Sequence, residues 1–365
     1  MLFLNSYRNS GIGDFGARLF DFLIERYPDA RYLETRRGRL SNVSEAFTAL
    51  LWPGTVVANL GLTSFGRSST SNVLGFAILR LRAHSKKRLV VLLHNTIEVV
   101  KAGDSGFPIN PLVERVAHNI VSGILGARVV VFSSTMASVL KAEYASTPSL
   151  VFPLPNDIPR SPHSSANETA VAVVPGYLSP YKAHGILPEI QNSIGSRCRI
   201  VVIGGPHSLL ASSHDYQRRL SDTIQRWRLA GIEFYGHVDD SHFNALISRA
   251  DLGLLPYKNT QGASAAFASL ASFGIPVVAS DLPEFRWLRA LGAGVTLAHL
   301  DADSFSNAIV ELIDNHEKLF QLRRKQIDYA SKYSYRVFVQ LLARVVSESG
   351  ASQLECGRKP PVTLE

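Results

Sequence analysis

The sequence has too little cysteine for a disulfide framework. Of 365 residues only Cys198 and Cys356 carry thiols, far apart and in different contexts, which argues equally against a cysteine-based zinc site and suits a reducing cytoplasm. It has no uninterrupted apolar stretch near the roughly 20 residues that a bilayer span requires. Met1 leads within one residue into a strand-like Leu2-Phe3-Leu4 instead of a basic region and signal core, so neither spanning nor secretion is expected. Fixed short repeats and heptads are missing, which excludes solenoids and coiled coils. Asp301-Ala302-Asp303 has the spacing of a metal-binding carboxylate pair, but it precedes a late helix and reads as helix-start chemistry. Aromatic residues are not interleaved with the basic clusters as a nucleic-acid stacking platform needs, so no nucleic-acid partner is expected.

What is present is ample apolar material. The chain is 46% hydrophobic and 19% charged, with a mean hydropathy of +0.07, enough for two cores at roughly 150 residues each. Short apolar runs alternate with helical patterns throughout, the mark of an α/β protein whose parallel sheets are covered on both faces. In the first half, strands are expected at Leu2-Asn5, Thr55-Leu60, Leu89-His94 and Arg128-Ser133, with helices such as Phe15-Arg26 and Leu112-Leu125 between them. In the second half they are expected at Ala170-Val174, Arg199-Ile203, Ile232-Tyr235, Leu252-Pro256, Pro276-Ala279 and Gly294-Leu297, with late helices at Ser304-Leu322 and Tyr333-Val346. The four prolines at 153, 155, 159 and 162 and the Ser-rich stretch after them mark a linker. Two doubly wound domains are therefore expected, at 1–155 and 168–335, joined by 156–167 and followed by a helix at 336–350 and a flexible tail at 351–365.

The formal net charge of +8 is unevenly spread. Residues 1–150 hold 17 Lys and Arg against 10 Asp and Glu, while 151–365 hold 21 against 20. A surplus of that kind attracts an anion, such as a phosphorylated acceptor or an acidic lipid surface. Asn72 to Arg88 joins an apolar helical run to five cationic residues. Such a segment either lies on acidic lipid or covers the sheet with its apolar face.

Several motifs fall where doubly wound folds bind ligands. Gly11-Ile12-Gly13 follows the first strand and opens the first helix, where backbone N–H groups and the helix dipole favour phosphate; a third glycine at the dinucleotide spacing is missing. His94 ends an apolar strand at the edge that faces the crevice. Gly176 and Lys182 follow the strand Ala170-Val174, and a mobile ammonium there suits a diphosphate. Gly204-Gly205 end the next strand, where glycine permits close approach to a ligand or simply a tight turn. Gly262, Ala263, Ser264 and Ala265 lie between a buried strand and a helix of small residues, a second place for backbone N–H groups to hold an anion.

The ordered set of Gly11-Ile12-Gly13, His94, Ser133-Ser134, Pro155-Asn156-Asp157, Lys182 with His184-Gly185, Gly204-Gly205, Tyr235-Gly236-His237-Val238, Ala250-Asp251 and Gly274 to Ser280 resembles a group 1, family 4 glycosyltransferase. The likeness covers about residues 1–345. It implies the GT-B fold, two Rossmann-like domains facing a central cleft, with the last helix crossing back to the first domain. It further implies retaining transfer of a hexosyl group from a UDP- or GDP-linked sugar to a saccharide or lipid-linked acceptor, in polysaccharide or glycolipid synthesis. The nucleotide sugar is the donor substrate; no other cofactor and no metal is expected. In this reading Lys182, the amides near Ala263-Ser264 and the Gly11–Gly13 loop stabilise the diphosphate, and His94 contacts the donor sugar. The chain also departs from the family's pattern. The positions of its two glutamates are Gln261 and Ser269, and Tyr177 stands nearest the place of its loop arginine. Gln261 can still orient sugar hydroxyls and Ser269 bind a ribose hydroxyl. The rival reading is a binding or partner subunit that keeps the fold without turnover. The expected location is cytoplasmic, with a peripheral membrane position open.

Overall fold

A parallel strand covered by helices on both faces reads as an unbroken apolar run. Leu89–Leu93, sequence LVVLL, and Val56–Leu60, sequence VVANL, are of this kind, with every residue buried. The computed structural model describes residues 1–6, 11–35, 42–61, 64, 69–85, 88–96, 111–158, 169–206, 213–260 and 262–348. Within them lie two six-stranded sheets.

The first half runs β1 (Leu2–Asn5), α1 (Gly11–Arg26), β2 (Arg31–Glu34), α2 (Asn42–Leu51), β3 (Val56–Leu60), α3 (Ser69–His84), β4 (Leu89–Leu93), α4 (Pro111–Ile124), β5 (Arg128–Val131), α5 (Ser134–Tyr144) and β6 (Leu150–Val151). Its strands are parallel in the order β2-β1-β3-β4-β5-β6. The second half runs β7 (Ala170–Pro175), short 3-10 turns at Pro180–Lys182 and His184–Ile186, α6 (Leu187–Ile194), β8 (Cys198–Ile203), α7 (His214–Leu229), β9 (Glu233–Phe234), α8 (Asp240–Ser248), β10 (Leu252–Leu255), α9 (Ala265–Ser272), β11 (Val277–Ser280), α10 (Pro283–Ala290), β12 (Val295–Ala298) and α11 (Ala302–Asp314). Its parallel order is β12-β11-β10-β7-β8-β9. The chain then forms α12 (His316–Lys332) and α13 (Tyr335–Glu348).

Local chemistry explains the boundaries. Phe15, Leu19 and Leu23 recur at four-residue spacing on α1 and are buried, and Pro28 follows soon after its end. Ser133 caps α5 by accepting from the Met136 amide at 3.0 Å. Asp301 likewise accepts from the Ser304 amide at 2.7 Å, as helix-start chemistry requires. The segment Ser304-Leu322, expected as one helix, is two. Asn315 ends the first and accepts from the Lys318 amide at 2.9 Å to open the second. The expected strands are present with ends displaced by a residue or two; β2 and the two-residue β6 were not expected, the first because RYLE is a partly exposed edge strand without an apolar run.

α13 packs on α1, with the ring of Tyr335 stacked on that of Phe22 at 5.2 Å and Phe338 against Phe132 and Phe152. Asn156 is buried and tied to Tyr333 and Tyr335 by backbone hydrogen bonds of 3.1 Å. The apolar run of α3 is divided: Phe76, Ile78 and Leu79 are buried against the sheet, while Leu74 and Leu81 are exposed. Arg82, counted among the five cationic residues of this stretch, is fully buried. Its guanidinium donates to the carbonyls of Ala49, Leu50, Trp52 and Gly54, closing the end of α2. Lys86 and Lys87 lie outside the described residues.

Candidate functional site

In an open α/β sheet, ligands collect beyond the carboxyl ends of the strands where the strand order reverses. In the first sheet the reversal falls between β1 and β3, and in the second between β7 and β10. Asn5, Asn59 and His94 stand at the carboxyl ends of β1, β3 and β4, and Gly176, Gly204 and Tyr257 at those of β7, β8 and β10. The two sets approach one another. A Cβ placed on Gly262, whose φ is +108°, would lie 2.7 Å from the His94 carbonyl oxygen, so the loop before α9 meets the end of β4 at a position that only glycine fits.

On the first-domain side Gly11, Ile12 and Gly13 form the opening turn of α1; the helix begins at Gly11, so the expected loop is shorter than its glycines suggest. Asn5 Nδ2 donates to Gly13 O and Asn59 Nδ2 to Ile12 O, both at 2.8 Å. The His94 ring lies edge-on to Phe15 at 5.0 Å and stacks on Phe132 at 4.7 Å. Crowding by these rings pushes its pKa down to about 3, so the ring is neutral. Its Nε2 is 2.7 Å from Asn59 Oδ1.

On the second-domain side, Gly176 and Gly204 are pressed together. A Cβ on Gly204 would overlap the Gly176 carbonyl, and φ is +101° at Gly176 and +149° at Gly204. Lys182 follows in a 3-10 turn, its side chain buried to 6% exposure and its Nζ 5.5 Å from the centre of the Tyr257 ring. Among the described residues it makes no ion pair. Burial pushes its pKa down to about 8. His184 is buried, with a pKa pushed down to about 3 by burial and by Lys182. Its carbonyl accepts from Trp227 Nε1 at 3.2 Å, an anchor for the turn that carries Lys182.

Ser264 caps α9 by accepting from the Phe267 amide at 3.2 Å. The amides of Ala263, Ser264 and Ala265 therefore precede or open the helix, at its positive end. Ser269 lies one turn along, its hydroxyl donating to Ala265 O at 3.0 Å. Gly205 accepts at its carbonyl from the Leu178 amide at 2.9 Å, which ties the Gly204-Gly205 turn to the loop after β7. Gln261 lies outside the described residues. Tyr177 is exposed and close enough to Asp14 on α1 that this carboxylate helps burial hold its hydroxyl above the ordinary range.

One residue escaped sequence reasoning. Glu284, in the first turn of α10, is buried to 1% exposure and reaches the start of α5 in the other domain. It accepts from Ser134 Oγ at 3.4 Å and from the amides of Ser134 and Thr135, while burial drives its pKa up to about 8. Within Leu-Pro-Glu-Phe an acidic residue reads as dipole chemistry for its own helix. Only the tertiary fold reveals that it also serves a second one. A shallow depression lined by Asp281, His299, Asn307 and Glu311 lies beside β12 and holds none of the expected site residues.

Two parallel doubly wound domains joined across a crevice, with α13 returning to α1, define the GT-B fold. Residues 170–315 match the family model described as glycosyl transferases group 1. No curated relative matches the chain by sequence. Among solved structures the chain is similar to Anabaena HepE in complex with UDP-glucose, at 18% identity and TM-score 0.72, covering 95% of this chain and 99% of that one. Sucrose-phosphate synthase of Thermosynechococcus elongatus superposes at 13% identity and TM-score 0.71, covering 95% and 98%. WaaG, a glycosyltransferase involved in lipopolysaccharide biosynthesis, superposes at 11% identity and TM-score 0.64, covering 95% and 100%.

Proposed function

We propose that this chain is a retaining hexosyltransferase that moves a sugar from a nucleoside diphosphate to a saccharide or lipid-linked acceptor in polysaccharide or glycolipid synthesis. The observation that carries the reading is Lys182, a buried ammonium without an acidic partner among the described residues, set against the Gly176 turn at the end of β7, where the second sheet's order reverses, with Gly204 packed on that turn. Burying a cation without a counterion costs free energy, and an anionic ligand offsets that cost. A diphosphate is such an anion, and HepE has been solved with UDP and with UDP-glucose.

In this scheme Lys182, the amides of Ala263, Ser264 and Ala265 and the start of α1 stabilise the departing diphosphate. Gly176, Gly204, Gly205 and Gly262 let it approach the backbone, and Ser269 receives a ribose hydroxyl. His94 contacts the donor sugar and Gln261 orients it. Retaining transfer of this type rests on positioning and leaving-group stabilisation, so loss of two carboxylates need not end turnover. Fixed amides and an ammonium neutralise the developing charge, and the scheme calls for no metal ion.

We place the enzyme at the cytoplasmic face of a membrane, bound reversibly. No helix among the described residues is long and apolar enough to cross one. The ends of α2 and α3 meet at Arg82, and beside that junction Leu51 and Leu81 are 71% and 61% exposed, with Phe47 one turn back from Leu51. Exposed apolar residues on a domain whose sequence carries an excess of cations suit an acidic surface. The testing experiment offers a panel of UDP- and GDP-linked sugars, reading binding, donor hydrolysis and transfer. One donor should bind and turn over, with Gln261→Ala lowering turnover but not nucleoside diphosphate affinity. Binding without hydrolysis or transfer for every donor would support the non-catalytic subunit instead.

A further inference from the structure

A line of hydrogen bonds runs from the edge of the first sheet to the crevice, and every donor in it points the same way. His94 Nε2 is 2.7 Å from Asn59 Oδ1, Asn59 Nδ2 donates to Asn5 Oδ1 at 2.8 Å, Asn5 Nδ2 donates to the Tyr32 hydroxyl at 2.7 Å, and that hydroxyl donates to Glu34 Oε2 at 3.0 Å. Both asparagines are fully buried. From this line we infer that Glu34, Tyr32, Asn5 and Asn59 are positioning residues that hold His94 as the neutral Nε2–H tautomer and leave Nδ1 as the ring's only acceptor.

The direction of the line follows from groups that cannot reverse. The carbonyls of Ile12 and Gly13 only accept, so Asn59 and Asn5 must turn Nδ2 toward them. Rotating either amide by half a turn would set oxygen against oxygen. At the far end the Tyr32 hydroxyl donates to the Glu34 carboxylate, so its oxygen is the acceptor toward Asn5. Each amide nitrogen thereby spends both hydrogens, and Asn59 Oδ1 is left facing His94. An acceptor facing one imidazole nitrogen puts the proton there. The same amides hold the first turn of α1, so the tautomer and the position of that turn are set together. The neighbouring helix leaves room for this: a Cβ on Gly16 would overlap Asn5 Oδ1 and Asn59 Nδ2.

Resting on the donor-sugar role proposed for His94, the tautomer decides what the ring recognises. A neutral imidazole with a bare Nδ1 accepts a hydrogen bond from a sugar hydroxyl and offers nothing to a phosphate oxygen. Among the described residues Nδ1 has no hydrogen-bond partner, and the residue is partly exposed. Its part is to read a hydroxyl, while Lys182 meets the charge.

The test is a long-range proton–nitrogen correlation spectrum of the full chain labelled with ¹⁵N-histidine, with His94→Gln assigning the resonance. The expected result is the Nε2–H tautomer at pH 7, unprotonated down to pH 5. The wild-type spectrum alone decides, so the outcome does not depend on a core variant folding. Asn59→Asp keeps the acceptor but removes both donations and adds a charge, so its His94 signal should titrate above pH 6. Its KM for the donor sugar should rise about tenfold with UDP affinity within about twofold, as for loss of one oriented hydrogen bond. An Nδ1–H tautomer or an imidazolium at pH 7 overturns the inference and leaves the transferase reading standing. The expected tautomer in a protein that turns over no nucleotide sugar supports the inference and overturns that reading.

Discussion

The two sides of the crevice are built from opposite materials. The first domain carries the surplus of positive charge in the sequence, yet its crevice edge at β1, β3 and β4 consists of two buried asparagines, a neutral histidine and the rings around it. The second domain is nearly balanced in charge, yet its edge holds a buried ammonium among glycine turns. Net charge therefore says little about what a crevice reads. Side-chain amides whose hydrogens are all committed give direction and suit hydroxyls. A desolvated cation beside open backbone suits phosphate.

The contrast holds only while the edges face one another, and Glu284 is a main contact that keeps them so. Glu284→Ala should lower stability to urea by about 1–3 kcal/mol, because the Ser134 and Thr135 amides lose a buried acceptor, whereas Glu284→Gln should keep most of it. The folded pKa of about 8 lies above the ordinary value of 4.5. The carboxyl's contribution is accordingly full below pH 4.5 and lost as pH rises through 8. A wild-type stability profile without that decline, or one that Glu284→Gln leaves unchanged, would contradict the assignment.

A smaller effect sharpens the cationic side. With a pKa near 8 in the free protein, Lys182 loses its proton as pH climbs, so UDP affinity should fall about tenfold between pH 7 and pH 9. Lys182→Arg stays charged and should flatten that profile even at lower absolute affinity. The same slope in both would move the titrating group elsewhere. Smallest is the outer surface. Leu51→Asp with Leu81→Asp should reduce association with acidic vesicles about fivefold, taking on the order of 1 kcal/mol, and added salt should weaken the wild type too. Equal retention on neutral vesicles would remove the electrostatic part.

Much of this was legible in the sequence. Runs such as Leu89-Val90-Val91-Leu92-Leu93 could only be covered strands, and glycines after strands marked the crevice edge. What stayed hidden was tertiary. Asn5 ends an apolar run and Asn59 is a single polar residue inside one, with nothing local to show that they face each other across β1 and β3 or reach Tyr32 on an unexpected edge strand. Arg82 belongs by pattern to a basic cluster, but the carbonyls left open at the end of α2 draw it inside. Glu284 reads as a cap for its own helix because its second partner lies 150 residues away.

The central claim, that the second-domain edge holds a diphosphate through Lys182, is tested most directly by calorimetric titration of UDP, GDP and the matching nucleosides into wild type and Lys182→Ala. One nucleoside diphosphate should bind, the variant should lose about ten- to a hundredfold of that affinity, and affinity for the bare nucleoside should stay within about twofold. Equal losses for nucleoside and diphosphate, or no loss for either, would place the phosphates away from Lys182 and contradict the account.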